Sequence, residues 1–529
     1  MSAPFLLTMR LGRGTRLCAL VALALAAVGT PADAKKPAKP PKKPKYEVGI
    51  ATRSISPDAD GNYAGQPVYL GGYGIGGGSP VFEGRAATGV LGEGPSVRAF
   101  TVTDDEGNTL AIADIETQGW FAATKNGPYG LIDMRKAVEE ATGGALPAES
   151  VIVQTDHSHG GADTIGVWGG VPDEYMQFMK DQTVAAIVEA FESRQRGTLW
   201  YGTAPGRDLL SNQFDYDEAN KVVDSDVRVL QARDDAGVPF ATMLNFSAHS
   251  TVLGSGNTKI TGDWPQRANP MMEERFGGEA MTVVATLGRT QPADRGCHDP
   301  AQTGDAQQLC TLDDYASRVV DRATEAVANA DEITGDPIVA ARSYLVEDVS
   351  SSALLLGMLY GGDAVGIPIN RAMTPPWLAG NVLGTITGSA RIGDVLLSSG
   401  PGEMYPQIAL KVAETVPARG HMTAGLANDQ LGYLIAPYEA YPEPIRRSFF
   451  NQAGDEVSPI DNDNYFFNVS HTMGERVTCS LLRGAGEVFD AGSTYRDSYD
   501  RCATFPNDTA LEHGSDVALS DLPNPDLTP

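Results

Sequence analysis

The stretch Val151-Ile-Val-Gln-Thr-Asp-His-Ser-His-Gly-Gly-Ala-Asp-Thr164 constrains this chain more than any other. A β-branched run that gives way to small residues predicts a buried strand opening into a tight, glycine-rich loop. His157 and His159 stand at that junction. In extended backbone, residues two apart face the same way, so both imidazoles are expected to face one cavity. Histidine is the commonest metal ligand and the side chain best suited to moving protons near neutral pH. An HxH pair alone fits a packed structural role equally well, so the rest of the chain has to decide.

The same arrangement recurs. Ala241-Thr-Met-Leu-Asn-Phe-Ser-Ala-His249 reads as a strand with a histidine at its end, followed by Gly254, Gly256 and Gly262-Asp263. Residues 393–398 read as a strand leading into Ser399-Gly-Pro-Gly-Glu403, with a helix over 404–416. Ala424-Gly-Leu-Ala-Asn-Asp-Gln-Leu-Gly-Tyr433 is a loop carrying an amide, an acid and a tyrosine. Four strand-end loops therefore present His157/His159, His249, Glu403 and Tyr433. Periodicity predicts helices over 131–142, 173–193 and 312–330, and strands over 199–201, 227–230 and 281–286. A hairpin is expected from 99–103 and 109–114 around the turn at 104–108; Asp114 and Glu116, at its end, read as solvated acids. Strands alternating with helices predict an α/β (mixed α+β) fold, a large single catalytic domain with a metal site at strand-end loops.

The ends of the chain carry different signals. Arg10, Arg13 and Arg16 precede an apolar run over 17–28 and Pro31-Ala-Asp-Ala34, the pattern of a secretory signal over residues 1–34. That run is shorter than the roughly 20 residues needed to span a bilayer. Residues 35–45 read as an extended Lys/Pro linker, 46–477 as the hydrolase domain, and 478–529 as an acidic tail clipped by Cys502. Cys18 leaves with the signal. The other four cysteines, in an exported chain, predict disulfides, and sequence proximity favours Cys297–Cys310 and Cys479–Cys502 among three connectivities. A net charge of -27 excludes nucleic acid as a partner, because phosphate binding needs a basic face. The glycine-rich loop 71–78 lacks the Lys-Ser/Thr of a phosphate-binding loop and reads as a flexible loop near a site. His298, His421, His471 and His513 have no partners in sequence. Asn245, Asn468 and Asn507 fit the glycosylation sequon, with Asn245 inside an expected core strand.

Two histidines and a carboxylate form a common zinc shell that leaves a position open for water, and zinc brings the pKa of that water toward about 7. The simplest reaction for such a centre is hydrolysis of an amide or ester. Over residues 46–477 the chain resembles the neutral ceramidase family of zinc-dependent, secreted or membrane-associated amidases. The resemblance is carried by His157-Ser-His-Gly-Gly-Ala-Asp-Thr164 with Ile165-Gly-Val-Trp168, Asn245-Phe-Ser-Ala-His249 with Thr261-Gly-Asp263, Pro401-Gly-Glu403, and Leu426-Ala-Asn-Asp with Gly432-Tyr433. It implies His157, His249, Glu403 and Tyr433 as ligands to Zn2+, and His159 as the neighbour that handles protons or orients the substrate carbonyl.

The departures from the family are specific. Its first motif reads His-Thr-His-Ser-Gly-Pro where this chain has His157-Ser-His159-Gly-Gly-Ala162. Gly288-Arg-Thr-Gln-Pro292 replaces Gly-Asp-Val-Ser-Pro, so Gln291 stands where the family has a serine often given a catalytic role. Gln213 stands where an arginine is expected after Asn212, and a second tyrosine about a dozen residues beyond Tyr433 has no clear counterpart. The stretch after Tyr433 is too short to hold the family's C-terminal immunoglobulin-like domain as well as the end of the catalytic domain. The resemblance thus implies an exported zinc-dependent hydrolase acting on a small-molecule or lipid-like N-acyl substrate, with peripheral membrane contact left open. His159 and Tyr433 would stabilise the oxyanion, with Gln291 as a further donor. The alternative is a non-catalytic cell-surface binding protein on a degenerate ceramidase scaffold. Zinc chemistry on phosphate or sulfate esters ranks last, since such sites often carry more carboxylates around two metals. Oligomeric state is not legible.

Overall fold

A computed structural model describes residues 45–73, 84–212, 222–350, 352, 355–357, 359, 369–372, 382–435, 468–470, 472–505 and 509–510. The expected signal and most of the expected linker, residues 74–78 of the glycine-rich loop, Gln213, His471, Asn507 and His513 lie outside them.

The fold is mixed α/β. In chain order the main elements are β1 (Tyr46–Ser54), β2 (Ser96–Thr103), β3 (Thr109–Ile115), α1 (Leu131–Ala141), β4 (Val151–Thr155), α2 (Asp173–Glu192), β5 (Gln195–Pro205), β6 (Asp226–Arg233), β7 (Pro239–Phe246), α3 (Asp263–Phe276), β8 (Glu279–Val284), α4 (Gly304–Ala328), β9 (Val339–Val349), β10 (Val382–Ile392), β11 (Val395–Ser399), α5 (Pro406–Thr415), β12 (Gly420–Ala424) and α6 (Met473–Val488). The large sheet runs β8-β7-β6-β5-β1-β2-β3-β4, and the second runs β12-β11-β10-β9 with Thr509–Ala510 at its edge. Most neighbours are antiparallel; β7/β8, β3/β4 and β11/β12 are parallel. The large sheet curls, since Thr52 of β1 reaches Glu279 of β8 and Arg98 of β2 donates to the Ala280 carbonyl.

Alternation along the strands sets the layers. Val48, Phe100, Val102, Leu110 and Ile112 face the second sheet and pack with Val339, Ala390, Ile392 and Leu397. The intervening Ala51, Val97, Ala99, Ala111 and Ala113 face α1 and α2. Helices α3 and α4 cover the β5–β8 half of the large sheet, and α5 and α6 cover the outer face of the second. The result is helices, sheet, sheet, helices, with the strand ends of both sheets meeting on one side. Both expected disulfides, Cys297–Cys310 and Cys479–Cys502, are present. Helix α6 runs without a break through position 477.

Asp114 and Glu116 are not solvated. Each is 1% exposed: the register that aligns Arg98 with Asp114 and Asp114 with Gln154 turns those three toward the inter-sheet face, and Glu116, just past β3, is covered by Asn269 of α3. Glu116 accepts from the Ser96 backbone N–H at 2.8 Å. Burial pushes its carboxyl up to about 7, against the pull of Arg98. Below the ordinary carboxyl range both folded and unfolded chains hold this proton; above it only the folded chain does, so stability falls as pH rises from about 4.5 to about 7. That window corresponds to roughly 3 kcal/mol. Glu116→Gln, which mimics the protonated acid, is expected to remove this slope. Denaturant melts at pH 5 and pH 8 should show the variant gaining on wild type only at the higher value; an equal offset at both pH values would refute the assignment.

Candidate metal centre

Four loops from the two sheets converge here. His157 leaves β4 with φ at 60°, a left-handed conformation that a non-glycine residue adopts only when its surroundings over-determine it. The Asp156 carboxylate stabilises it by accepting from the Ser158 N–H at 3.0 Å, and Ser158 Oγ donates to the Thr261 carbonyl at 2.7 Å. The two imidazoles therefore meet through a tight turn rather than through strand alternation, and their Nε2 atoms lie 3.1 Å apart. Of the eight non-glycine residues with positive φ among the described residues, His157, Asp263, Arg289, Leu426 and Asn428 all belong to loops that carry or brace this site. Backbone strain gathers where function constrains geometry.

His249 is held twice by one carbonyl: its backbone N–H and its Nδ1 both donate to the Thr290 oxygen, at 3.3 and 2.8 Å. His157 Nδ1 donates to the Gln118 carbonyl at 2.6 Å. A carbonyl only accepts, so each ring carries a proton on Nδ1, and in the neutral ring Nε2 keeps its lone pair. Both Nε2 atoms point at the same atom, Glu403 Oε2, at 3.4 Å from His157 and 3.1 Å from His249. One donor atom from each of His157, His159 and His249 lies within 4.8 Å of the other two. Two triads thus share His157 and His249, one completed by His159 and one by Glu403. Burial, then His157 and His249, push His159 well below an ordinary histidine, so its ring is neutral.

Glu403 and Tyr433 sit side by side. Glu403–Met404 and Tyr433–Leu434 pair as short parallel strands in register, the Glu403 N–H donates to the Gly432 carbonyl, and the Tyr433 ring packs with Tyr405 and Ile435. Gly288 explains its own identity: a Cβ there would lie 2.4 Å from the Glu403 carbonyl oxygen. Gln291 is on Thr290–Pro292, next to the carbonyl that holds His249, and its Oε1 accepts from Thr251 Oγ1 at 2.7 Å. The structure therefore brings His157, His159, His249 and Glu403 together, sets Tyr433 beside Glu403, and puts Gln291 on the strand behind His249.

The acids of the same motifs hold loops. Asp163 accepts from the N–H groups of Gly166, Trp168 and Gly170 at 2.9, 2.6 and 2.9 Å, and Asp263 from those of Val252 and Leu253. Burial pushes each up to about 6 despite those donors. Asn428 docks onto β4, donating from its N–H to the Val153 carbonyl and accepting the Val153 N–H on Oδ1. Sequence reading passes over Gln118 and Thr290, whose contributions are backbone carbonyls and leave no mark on residue identity. It also passes over Arg85 and Tyr73, which flank His159. Asn245 is a strut, its amide bridging the Val283 and Thr423 carbonyls at 2.9 and 2.7 Å.

No protein-family model and no curated protein matches this chain. Solved structures do. The neutral ceramidase from Pseudomonas aeruginosa superposes with a TM-score of 0.64 over 85% of this chain and 75% of that one, at 16% identity. A ceramidase complexed with C2 gives a TM-score of 0.63 at 16% identity, covering 85% of this chain and 76% of its own. At that identity the likeness is one of architecture: this chain is built on the neutral ceramidase fold.

Proposed function

We propose that this chain is an exported zinc-dependent hydrolase that cleaves an amide (N-acyl) or ester bond in a lipid-like substrate. One observation carries the reading: two imidazoles with their protons fixed on Nδ1 direct Nε2 lone pairs at a single buried carboxylate oxygen. In the neutral rings those lone pairs and the carboxylate oxygen form a converging set of donors for a cation, and two nitrogens with an oxygen suit Zn2+. His157, His249 and Glu403 would hold it, with Tyr433 beside Glu403 as the fourth ligand. Each of the two histidines has a second hydrogen bond that orients it, as metal-ligating histidines do. His159 has none, its Nδ1 being buried without a partner among the described residues, which fits a proton-handling role better than a ligand role. Bound there, the metal would supply Lewis-acid activation of water and of a carbonyl oxygen.

The protein's own groups do the rest. Neutral His159, with one nitrogen toward His157, is able to accept a proton from the attacking water and deliver it to the leaving amine. Gln291 would place a donor at the developing oxyanion. The ceramidase neighbours support an N-acyl amide as the bond cleaved, and replacement of a serine by Gln291 leaves a water-based attack intact. The two disulfides fit an oxidising compartment outside the cytosol. No helix among the described residues is long and apolar enough to cross a membrane.

The test is fatty-acid release by zinc-loaded mature protein from a panel of ceramides, N-acyl amino acids, N-acyl ethanolamines and simple esters. Turnover on at least one amide is expected. Zinc-replete protein inert on the whole panel would refute the hydrolase reading.

A further inference from the structure

His159 is braced from outside the metal shell by one guanidinium. Arg85, on the short strand Arg85–Ala86, donates from Nη2 to the carbonyls of His159, at 2.7 Å, and of Gly71, and from Nη1 to the carbonyl of Asn257 at 2.7 Å. Those carbonyls belong to three separate loops: the one that carries Tyr73, the His157–Asp163 turn, and the loop between His249 and α3. Arg85 also lies over the Tyr73 ring at 5.0 Å, and that ring meets the His159 imidazole edge-on with centroids 4.6 Å apart. Gly72 completes the fit. Its φ is +91°, and a Cβ there would stand 2.3 Å from His159 Cγ, so the backbone of the Tyr73 loop lies flat against the imidazole.

Arg85 does this without an acidic partner among the described residues, in a chain with 67 acidic residues against 40 basic ones. Its Nε is buried without a partner among the described residues. A half-buried guanidinium spent wholly on carbonyls is costly as mere packing. Its planar fork, however, spans several carbonyls at once in a way that an ammonium does not.

We propose that Arg85 is the positioning residue for His159: by clamping the Gly71, His159 and Asn257 carbonyls it closes the Gly72-Tyr73 backbone over the imidazole and fixes the ring against His157. The proposal rests on His159 as the proton-handling group of the proposed function, but its test does not require turnover. Diethyl pyrocarbonate acylates unprotonated imidazole nitrogen, and peptide mass spectrometry reads the rate at each histidine. In zinc-loaded Arg85→Ala, His159 is expected to react about tenfold or more faster than in wild type, the scale of losing hydrogen bonds to a charged group. Zinc content should stay at the wild-type value, and millimolar guanidinium ion should slow the reaction again. Arg85→Lys, a milder change that keeps the charge and loses the fork, should fall between. On any amide that wild type hydrolyses, both variants should lower kcat with KM little changed.

A wild-type His159 rate in both variants would overturn the proposal, as would loss of zinc, which would make Arg85 a support of the ligand shell. Failure of guanidinium to restore protection would reduce Arg85 to a folding role and overturn it likewise. Wild type that hydrolyses nothing would sink the proposed function while leaving the His159 rates to decide on Arg85.

Discussion

His249→Ala is expected to lose bound zinc and, with it, hydrolysis, while the protein stays folded. Zinc in a four-ligand protein site is held by roughly 10–16 kcal/mol, so one ligand is worth on the order of 3 kcal/mol, or about 10²–10³ in affinity. The loss should be larger than removing one imidazole implies, because Glu403 then faces a single ring in a buried site. His249 also closes two bonds to the Thr290 carbonyl, one from its backbone and one from its ring; alanine keeps the first, so Thr290 and Gln291 should stay in place. Metal analysis of wild type and variant, purified and dialysed side by side, checks this. Near one zinc per chain in wild type and none in the variant, with matching circular dichroism, is the expected pair of results. Equal metal in both would mean that the cation is not held by the His157/His249/Glu403 set. A wild type that takes up no zinc would remove the metal mechanism altogether.

Much of this site was legible because each part is a local pattern. An apolar run that gives way to small residues marks a strand end, and the chain repeats that form before His157, His249 and Glu403. Short-range pattern does not show which carbonyl each imidazole will find. Gln118 and Thr290 matter through their backbone oxygens, so substitution of their side chains leaves the contact formally intact. The second sheet was largely unread for a different reason. Val382-Leu-Gly-Thr-Ile-Thr-Gly-Ser-Ala-Arg-Ile392 looks like a polar, glycine-rich loop, yet Thr385, Thr387 and Ser389 are buried. They are buried because their hydroxyls have partners: Thr387 Oγ1 with Ser480 Oγ at 2.7 Å, and Ser389 Oγ with the Leu481 carbonyl at 3.0 Å. Those partners are on α6, which approaches the strand closely at Gly484, where a Cβ would meet Ser389 Oγ at 2.7 Å. Strand and helix each look unsuitable alone and fit only together. The short-range reading of Asp114 and Glu116 as solvated failed for the same reason, since only the register of three strands turns Asp114 inward and only the approach of α3 covers Glu116.

Asp429→Ala is expected to cost more stability than any other substitution in the loop that carries Tyr433, although Asp429 is no ligand. The side chain is completely buried and accepts four hydrogen bonds. Oδ1 takes the N–H groups of Ala122 and Gln430, both at 2.9 Å, and Oδ2 takes Arg371 Nη2 and Thr385 Oγ1, also both at 2.9 Å. One carboxylate thus ties together the segment after β3, the Arg371 segment, β10 and its own loop. Arg371 is itself buried, at 5% exposure, so removing the acid takes the carboxylate from a guanidinium in a poorly solvated place, which keeps the Gly384 carbonyl. Deleting one partner of a buried pair costs about 3–5 kcal/mol, because the surviving charge stays desolvated, and the freed backbone donors add to it. Asp429→Asn keeps an acceptor but puts a donor toward either the guanidinium or the backbone N–H groups, so it should recover only part of the loss. Chemical denaturation of the three proteins, with zinc content measured on the folded fraction, separates this from a ligand role. The expected result is a midpoint falling in the order wild type, Asn, Ala, with zinc per folded chain unchanged. A normal midpoint with zinc lost would instead put Asp429 in the metal shell. The fold offers a reason for so rigid an anchor: Asp429 lies four residues before Tyr433, which has to stay in register with Glu403 while the short strand that carries it has one pairing neighbour among the described residues.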